Sequence, residues 1–216
     1  MVERVTDRKA LELLLEGWRG STKALELKKL TMGFDDDLLF YDLDLLVRHG
    51  ERVGLIVYAG EAGLLLPPTD DPALLQRAID QVNTRLIEAQ GSNLGAALDL
   101  ARRQLEAAPG KAKAVLLVTD AEAGSVDAAA QVAVDALAKA GWPLFVLGVG
   151  SEAGAPVPLP EGGTAEQEGV QVLSRMTEAP YRQWAKTTGG RFAAVSDGDA
   201  DWSDLHERGI AAMPGD

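Results

Sequence analysis

The stretch Val115-Leu116-Leu117-Val118-Thr119-Asp120 decides the fold, because it is a continuous apolar run that ends in a carboxylate. Two similar apolar runs occur at residues 53–58 and 143–149. Short uninterrupted runs of this kind are typical of strands that are buried on both faces, as in a parallel sheet. We therefore expect three buried strands, with weaker strand candidates at residues 24–30 and 191–195.

Helical patterns lie between these apolar runs. Residues 94–105 place leucine and alanine on one helical face, and further helices are expected at residues 72–82, 126–140 and 180–188. Pro67 and Pro68 are expected to terminate a short strand at residues 64–66. Alternating strands and helices predict an α/β fold, a three-layer Rossmann-like sandwich with a mostly parallel central sheet and helices on both faces.

The length of 216 residues fits one main domain. We expect an N-terminal helical extension over residues 1–22, the α/β domain over residues 23–197 and a C-terminal tail over residues 198–216. No apolar run approaches the length of a membrane span, so the chain as written is expected to be soluble.

The charge balance narrows the classes of partner. The chain has 21 Lys and Arg against 33 Asp and Glu, a net charge of -12. Nucleic acids and anionic membranes are usually bound by basic surfaces, so neither is expected as a partner. The chain has no cysteine and only two histidines, which excludes thiolate chemistry and argues against His-rich metal sites.

Three residues are candidates for a binding site. Asp120 follows a buried strand and Ser92 precedes a helix, and ligands of open parallel sheets bind at the carboxyl ends of the strands. Asp35 belongs to an acidic run and is a further candidate. Each has a plain structural alternative: Asp120 could cap the next turn, Ser92 could be a helix N-cap, and Asp35 could begin a helix. Carboxylate and hydroxyl oxygens suit hard divalent cations such as Mg²⁺ or Mn²⁺.

Several segments together resemble a known family. They are the stretch Arg52-Val53-Gly54-Leu55-Ile56-Val57-Tyr58-Ala59-Gly60-Glu61-Ala62, the stretch Gly91-Ser92-Asn93-Leu94-Gly95-Ala96-Ala97-Leu98, the strand that ends in Thr119-Asp120, and the proline-containing loop after Gly150. In this order they resemble a von Willebrand factor A (vWA) domain, and in particular the bacterial Bat, or aerotolerance, group. The resemblance covers residues 50–195.

The resemblance implies a metal-ion-dependent adhesion site, of which one part is missing here. By position, Ser92 matches the hydroxyl ligand of the second loop and Asp120 the carboxylate of the third. The D-x-S-x-S motif expected after the first strand is absent, and Lys28 and Lys29 occupy that region. Ala121 replaces the glycine that often follows the aspartate. We therefore expect a degenerate site that binds Mg²⁺ or Mn²⁺ weakly or not at all.

The resemblance also implies a function. We expect a non-enzymatic module that binds another protein through the carboxyl-end face of its sheet, associated with the envelope or with stress tolerance in a bacterium. The family is membrane-anchored, although this chain contains no expected span. One alternative is a metal-assisted hydrolase or phosphatase that uses Asp120 with Glu122 close by. Another is a structural remnant whose crevice has lost ligand function.

Overall fold

The structure is a computed structural model that describes residues 23–34, 37–48, 51–83, 86–156, 163–164, 166–167, 169–196 and 200–214, the first two ranges by their backbone. The helix expected over residues 1–22 and the candidate Asp35 lie outside the described residues.

The strands and the helices of the described residues are each numbered in the order in which they occur along the chain. The strands are β1 (Lys23–Phe34), β2 (Asp37–Arg48), β3 (Val53–Tyr58), β4 (Ala62–Thr69), β5 (Val115–Thr119), β6 (Leu144–Gly148), β7 (Ala155–Pro156), β8 (Glu166–Gln167), β9 (Val170–Gln171), β10 (Leu173–Ser174) and β11 (Phe192–Ala194). The helices are α1 (Pro72–Asp80), α2 (Leu94–Ala107), α3 (Ala128–Ala140), α4 (Glu178–Thr188) and the short α5 (Ala200–Trp202), which continues into helical turns at Ser203–Glu207 and Ile210–Ala212.

A parallel sheet forms the centre of the molecule. Its strand order is β11-β6-β5, with Val115 opposite Leu144 and Phe192 opposite Val146. Strand β6 is buried along its whole length because it has a neighbour on each side and a packed layer on each face. One face packs against α2, α3 and α4, and the other against the C-terminal helical turns around Leu205. The α/β sandwich expected from the sequence is confirmed.

The expectation of three strands buried on both faces is correct only for β6. Strands β3 and β5 are largely half-buried, although their sequences are as apolar as that of β6. Burial depends on how many neighbours a strand has, and a sequence run does not show its position in the sheet. Strand β3 pairs only with β4 within the described residues, as an antiparallel hairpin that turns between Tyr58 and Ala62.

The prediction that the prolines stop β4 is wrong. The strand continues through Pro67 and Pro68 to Thr69, which lies opposite Val53. Proline lacks the N–H group that a central strand would donate, but an edge strand can accommodate it. Within the described residues β4 pairs only with β3, so it is such an edge.

The strand expected at residues 24–30 is present within β1, but outside the parallel sheet. It forms an antiparallel ribbon with β2, in which Leu27 lies opposite Leu45.

Helix boundaries follow local chemistry. The Asp71 carboxylate accepts hydrogen bonds from two backbone N–H groups at the start of α1, and Pro72 occupies the first turn, as expected. Asp127 caps α3, which ends at Gly141 in the left-handed conformation with φ 71°.

Among the helices that the structure describes, none combines the length and the apolar character that a membrane span requires.

Candidate functional site

The loops at the carboxyl ends of β3 and β5 meet the start of α2. The backbone N–H of Asn93 donates to the carbonyl oxygen of Ala59 at 2.6 Å, and its side-chain amide donates to the carbonyl of Gly60 at 3.3 Å. These two bonds fix the beginning of α2 against the turn that follows β3.

Ser92 is not the N-cap that its position suggested. Asn93 caps α2 instead, since its side-chain oxygen accepts a hydrogen bond from the N–H of Ala96 at 3.1 Å. The Ser92 hydroxyl oxygen accepts a hydrogen bond from the Ser125 hydroxyl at 2.8 Å. Because Ser125 belongs to the loop after β5, this bond joins the two loops on which the sequence placed its candidate residues.

The turn after β5 contains an unusual backbone conformation. Ala121 has φ 52°, in the left-handed region that favours glycine, and its side chain is fully buried. The Thr119 hydroxyl oxygen accepts from the N–H of Ala121 at 3.1 Å, and the Ala121 carbonyl accepts from the N–H of Thr177 at 2.8 Å. These contacts hold the turn that carries Asp120 in a fixed conformation.

Two tyrosines line the same region. Burial raises the pKa of Tyr58, the last residue of β3, to about 12, and the nearby Asp120 charge adds to the rise. Tyr181 on α4 is fully buried and donates from its hydroxyl to the carbonyl oxygen of Glu122 at 3.0 Å. Burial also raises the pKa of Tyr181. We call the group formed by Tyr58, Ser92, Thr119, Asp120 and Ser125 the mouth.

The Asp120 carboxyl group lies in a partly desolvated position within the mouth. The residue as a whole is exposed, yet the surrounding loops remove enough water to raise the pKa of the carboxyl group above its usual value, and the nearby Glu122 adds to the effect. Long hydrogen bonds of 3.4 Å from the Thr119 hydroxyl and from the N–H of Glu122 oppose the rise only in part. Asp120 therefore caps its own turn weakly, and among the described residues no cationic side chain forms an ion pair with it.

This position predicts a pH effect on stability. A carboxyl group whose pKa is raised in the folded state destabilises the fold when it ionises. The free energy of unfolding therefore falls as the pH rises from the pKa of this group in the unfolded chain to its higher pKa in the folded protein. We expect Asp120→Asn to be more stable than wild type at pH 7, by less than about 1 kcal/mol because solvent still reaches the group.

Urea unfolding of both proteins across the acidic to neutral range measures this effect. The gain in free energy of unfolding from Asp120→Asn should shrink toward zero at a pH below the pKa of the Asp120 carboxyl group in both the folded and the unfolded state. A variant that is less stable than wild type at neutral pH would show that the charge is compensated after all.

The donors of the mouth do not make up a complete shell for a divalent cation. Mg²⁺ requires near-octahedral oxygen coordination, in which protein carboxylates supply the charge. Among the described residues no group of three His, Cys, Asp or Glu side chains could hold a metal ion. The Ser92 hydroxyl is bonded to Ser125, and the Glu122 carboxylate accepts from the Ser174 hydroxyl at 2.5 Å. That Ser92 and Asp120 form a degenerate site, which binds Mg²⁺ or Mn²⁺ weakly or not at all, stays a prediction.

Sequence reasoning missed three residues of this region. Tyr58 ends an apolar strand just as Thr119 does, so its position carried a signal that could have been used. Ser125 and Tyr181 are 33 and 59 residues from their hydrogen-bond partners, and no local pattern marks them.

Comparisons with known proteins agree with this architecture. The sequence profile of the von Willebrand factor type A domain matches residues 34–123. No protein of the curated sequences matches the chain. A von Willebrand factor type A structure from Catenulispora acidiphila has 17% identity and a TM-score of 0.52, over 73% of this chain and 32% of that one, and therefore supports the fold alone.

Two solved structures resemble the chain more strongly. An aerotolerance-related membrane protein from Bacteroides fragilis, in a form with multiple mutations to serines, has 29% identity and a TM-score of 0.68 over 76% of this chain and 81% of that one. The conserved hypothetical protein BatB from Bacteroides thetaiotaomicron has 31% identity and a TM-score of 0.65 over 73% of this chain and 77% of that one. The chain therefore belongs to the von Willebrand factor type A family and is Bat-like within it.

Proposed function

We propose that the chain is a non-catalytic module that binds another protein through the mouth. The observation that carries this proposal is the 2.8 Å hydrogen bond between Ser125 and Ser92. It joins the loop after β5 to the start of α2 and so builds one surface from segments that are distant in sequence. A surface of loops held on a rigid scaffold is a common arrangement for recognition.

The polar groups beside Asp120 favour binding over catalysis. Glu122, the second carboxylate of the alternative hydrolase, accepts a hydrogen bond from Ser174, and its carbonyl accepts from Tyr181. A general base must be able to reach a proton of the substrate, and a carboxylate that is already engaged is poorly suited to that role. A Mg²⁺-dependent phosphatase activity that Asp120→Asn abolishes would contradict the proposal.

The charge of the mouth indicates the chemistry of the partner. The negative charge of the Asp120 carboxylate is poorly compensated by the described residues around it, and the chain carries a net charge of -12. Complementary charge accelerates and orients association, so we propose a partner that presents a basic residue to the mouth. The names of the related structures, one an aerotolerance-related membrane protein, support a role in a complex at the bacterial envelope.

We further propose that the adhesion site is degenerate. Titration of the chain with Mg²⁺ and with Mn²⁺ in a calorimeter should show no saturable binding in the micromolar range, because Asp120 would be the main charged ligand and six oxygen positions must be filled. Micromolar binding that Asp120→Ala abolishes would overturn this part of the proposal.

A partner-capture experiment tests the mouth. The wild-type chain and a Ser92→Ala/Asp120→Ala variant serve as bait, and Asp135→Asn, an exposed change on α3, serves as the control. We expect the double variant to lose the partner and the control to keep it. Equal recovery by all three baits, with unchanged circular dichroism, would instead favour a structural remnant.

A further inference from the structure

An open groove with a basic lining lies at the end of the central sheet opposite the mouth. It has a volume of about 350 Å³ and lies between the last turns of α4, the residues that lead into β11, and the C-terminal helical turns. Strands β11, β6 and β5 are parallel, so the start of β11 is at the amino ends of the strands, whereas the mouth is at the carboxyl end of β5. We call the groove formed by Arg182, Lys186, Arg191, Phe192 and Asp204 the basic groove.

A pair of glycines brings the two walls of the basic groove together. Gly189 ends α4 in the left-handed conformation with φ 82°. A Cβ atom at Gly190 would overlap the backbone carbonyl of Leu144, so only glycine lets the chain pass this close to the start of β6. The chain therefore turns from α4 into β11 within three residues, and this turn places Arg191 beside the cations of α4.

Structural partners hold the two arginines of the groove in place. The Arg182 guanidinium lies over the Phe192 ring, 4.5 Å from its centroid, and one of its edges binds the Glu178 carboxylate at 2.5 Å. Arg191 donates from Nη1 to the Asp204 carboxylate at 3.1 Å. Arginine has five N–H donors in a rigid fork, so both side chains keep donors for a further acceptor. An anion that enters the groove therefore meets arginines that are already ordered.

Lys186 supplies positive charge that the groove does not neutralise. It follows Arg182 by four residues on α4, a spacing at which like charges repel. Among the described residues Lys186 has no ion-pair partner. The carboxylate of Asp204 is already engaged by Arg191 and, at 3.8 Å, by Arg208. Cations thus outnumber the carboxylates that contact them, in a chain whose net charge is -12.

The lining favours a carboxylate over a phosphate as the ligand. Asp204 forms part of the wall, and a phosphate group, with a charge of about -1.5 to -2, would be repelled by it more strongly than a single carboxylate. The two oxygens of a carboxylate also match the arginine fork. The volume is at the lower end of the range of about 300–1,000 Å³ for ligand pockets, which suits a side chain better than a whole cofactor.

We propose that the basic groove binds an acidic side chain, glutamate or aspartate, from an acidic segment of a partner protein. The Lys186 ammonium group supplies the uncompensated charge, and Arg182 and Arg191 donate the N–H groups that their internal partners leave unused. Complementary charge orients such a segment on a chain that is otherwise acidic. This surface goes beyond the proposed function, because it shares no residue with the mouth and lies at the other end of the sheet.

Fluorescence anisotropy with a synthetic peptide tests the proposal. The probe contains four consecutive glutamates and an uncharged dye, and its matched control contains four glutamines. We expect the glutamate peptide to bind the wild-type chain saturably at sub-millimolar concentration, despite the negative net charge of the chain, and the glutamine peptide to bind at least tenfold more weakly. In an NMR titration the amide signal of Gly190 should shift, and that of Gly124 in the loop after β5 should not.

Two lysine variants with the same change in net charge separate the groove from general attraction. Lys186→Gln should weaken binding of the glutamate peptide about tenfold, which corresponds to the loss of one hydrogen bond between charged groups. Lys139→Gln changes an exposed lysine in the last turn of α3 and should leave the affinity unchanged. Lys186→Arg keeps the charge and should retain binding.

Four results would overturn the proposal. They are no saturable binding of the glutamate peptide, equal binding of the glutamine peptide, equal weakening by Lys186→Gln and Lys139→Gln, and tighter binding of inorganic phosphate than of the glutamate peptide. The last result would make a phosphate group the ligand. None of them bears on the proposed function, because the mouth takes no part in these measurements.

Discussion

Tyr181→Ala is expected to lower the free energy of unfolding by about 3–5 kcal/mol, the usual cost of removing a large buried aromatic side chain. Tyr181 is fully buried and packs edge-to-face on Trp184, with ring centroids 5.2 Å apart. Its ring supports the loop after β5, and its hydroxyl donates to Glu122 in that loop. Urea unfolding measures the loss.

Tyr181→Phe separates the ring from the hydroxyl. It keeps the packing and removes one hydrogen bond, so its expected cost is about 0.5–1.5 kcal/mol. If the phenylalanine variant is as unstable as the alanine variant, the hydroxyl rather than the ring holds the loop. If the alanine variant loses less than about 1 kcal/mol, the ring is not buried as the structure shows.

Gly95→Ala is expected to cost about 2 kcal/mol net, although alanine normally favours a helix over glycine. A Cβ atom at Gly95 would lie 2.7 Å from the Cβ of Ala129 and 2.8 Å from the backbone nitrogen of Ala130. Helix α3 therefore blocks the added methyl group, and its backbone cannot move aside cheaply. Since Ser92 lies three residues before Gly95, separation of α2 from α3 should also weaken the mouth.

Gly124→Ala is the matched control, because nothing lies within 4 Å of a Cβ atom at that position. Thermal and urea unfolding of both variants make the comparison. A Gly95→Ala protein that is more stable than wild type would show that helix propensity outweighs the contact and that α2 and α3 are not so closely packed.

Local chemistry allowed much of the fold to be predicted. The first turn of α1 at Pro72 and the end of α3 at Gly141 each depend on one residue with a strong conformational preference. The start of α2 could not be placed to the residue, because Ser92 and Asn93 are both good caps. Contacts of Asn93 with Ala59 and Gly60 decide between them, and these contacts are distant in sequence.

Features that depend on the order of strands could not be predicted. The apolar sequences of β3, β5 and β6 are alike, but only β6 has a partner on both sides in the described part of the chain. The same limit explains why Pro67 and Pro68 predict the end of a strand that in fact continues to Thr69. The candidate residues Ser92 and Asp120 follow from position alone, and Tyr58 has a similar position at the end of an apolar strand, whereas Ser125 and Tyr181 become visible only in three dimensions.

Engineered cysteines test the central claim that the loops of Ser92 and Asp120 form one surface. The chain contains no cysteine, so Ser92→Cys and Ser125→Cys introduce its only thiols. The two hydroxyl oxygens lie 2.8 Å apart, which predicts rapid formation of an intramolecular disulfide in the double variant under mild oxidation. Mass spectrometry of the double variant with and without a reducing agent detects the disulfide. Two free thiols, or only intermolecular dimers, would contradict the account.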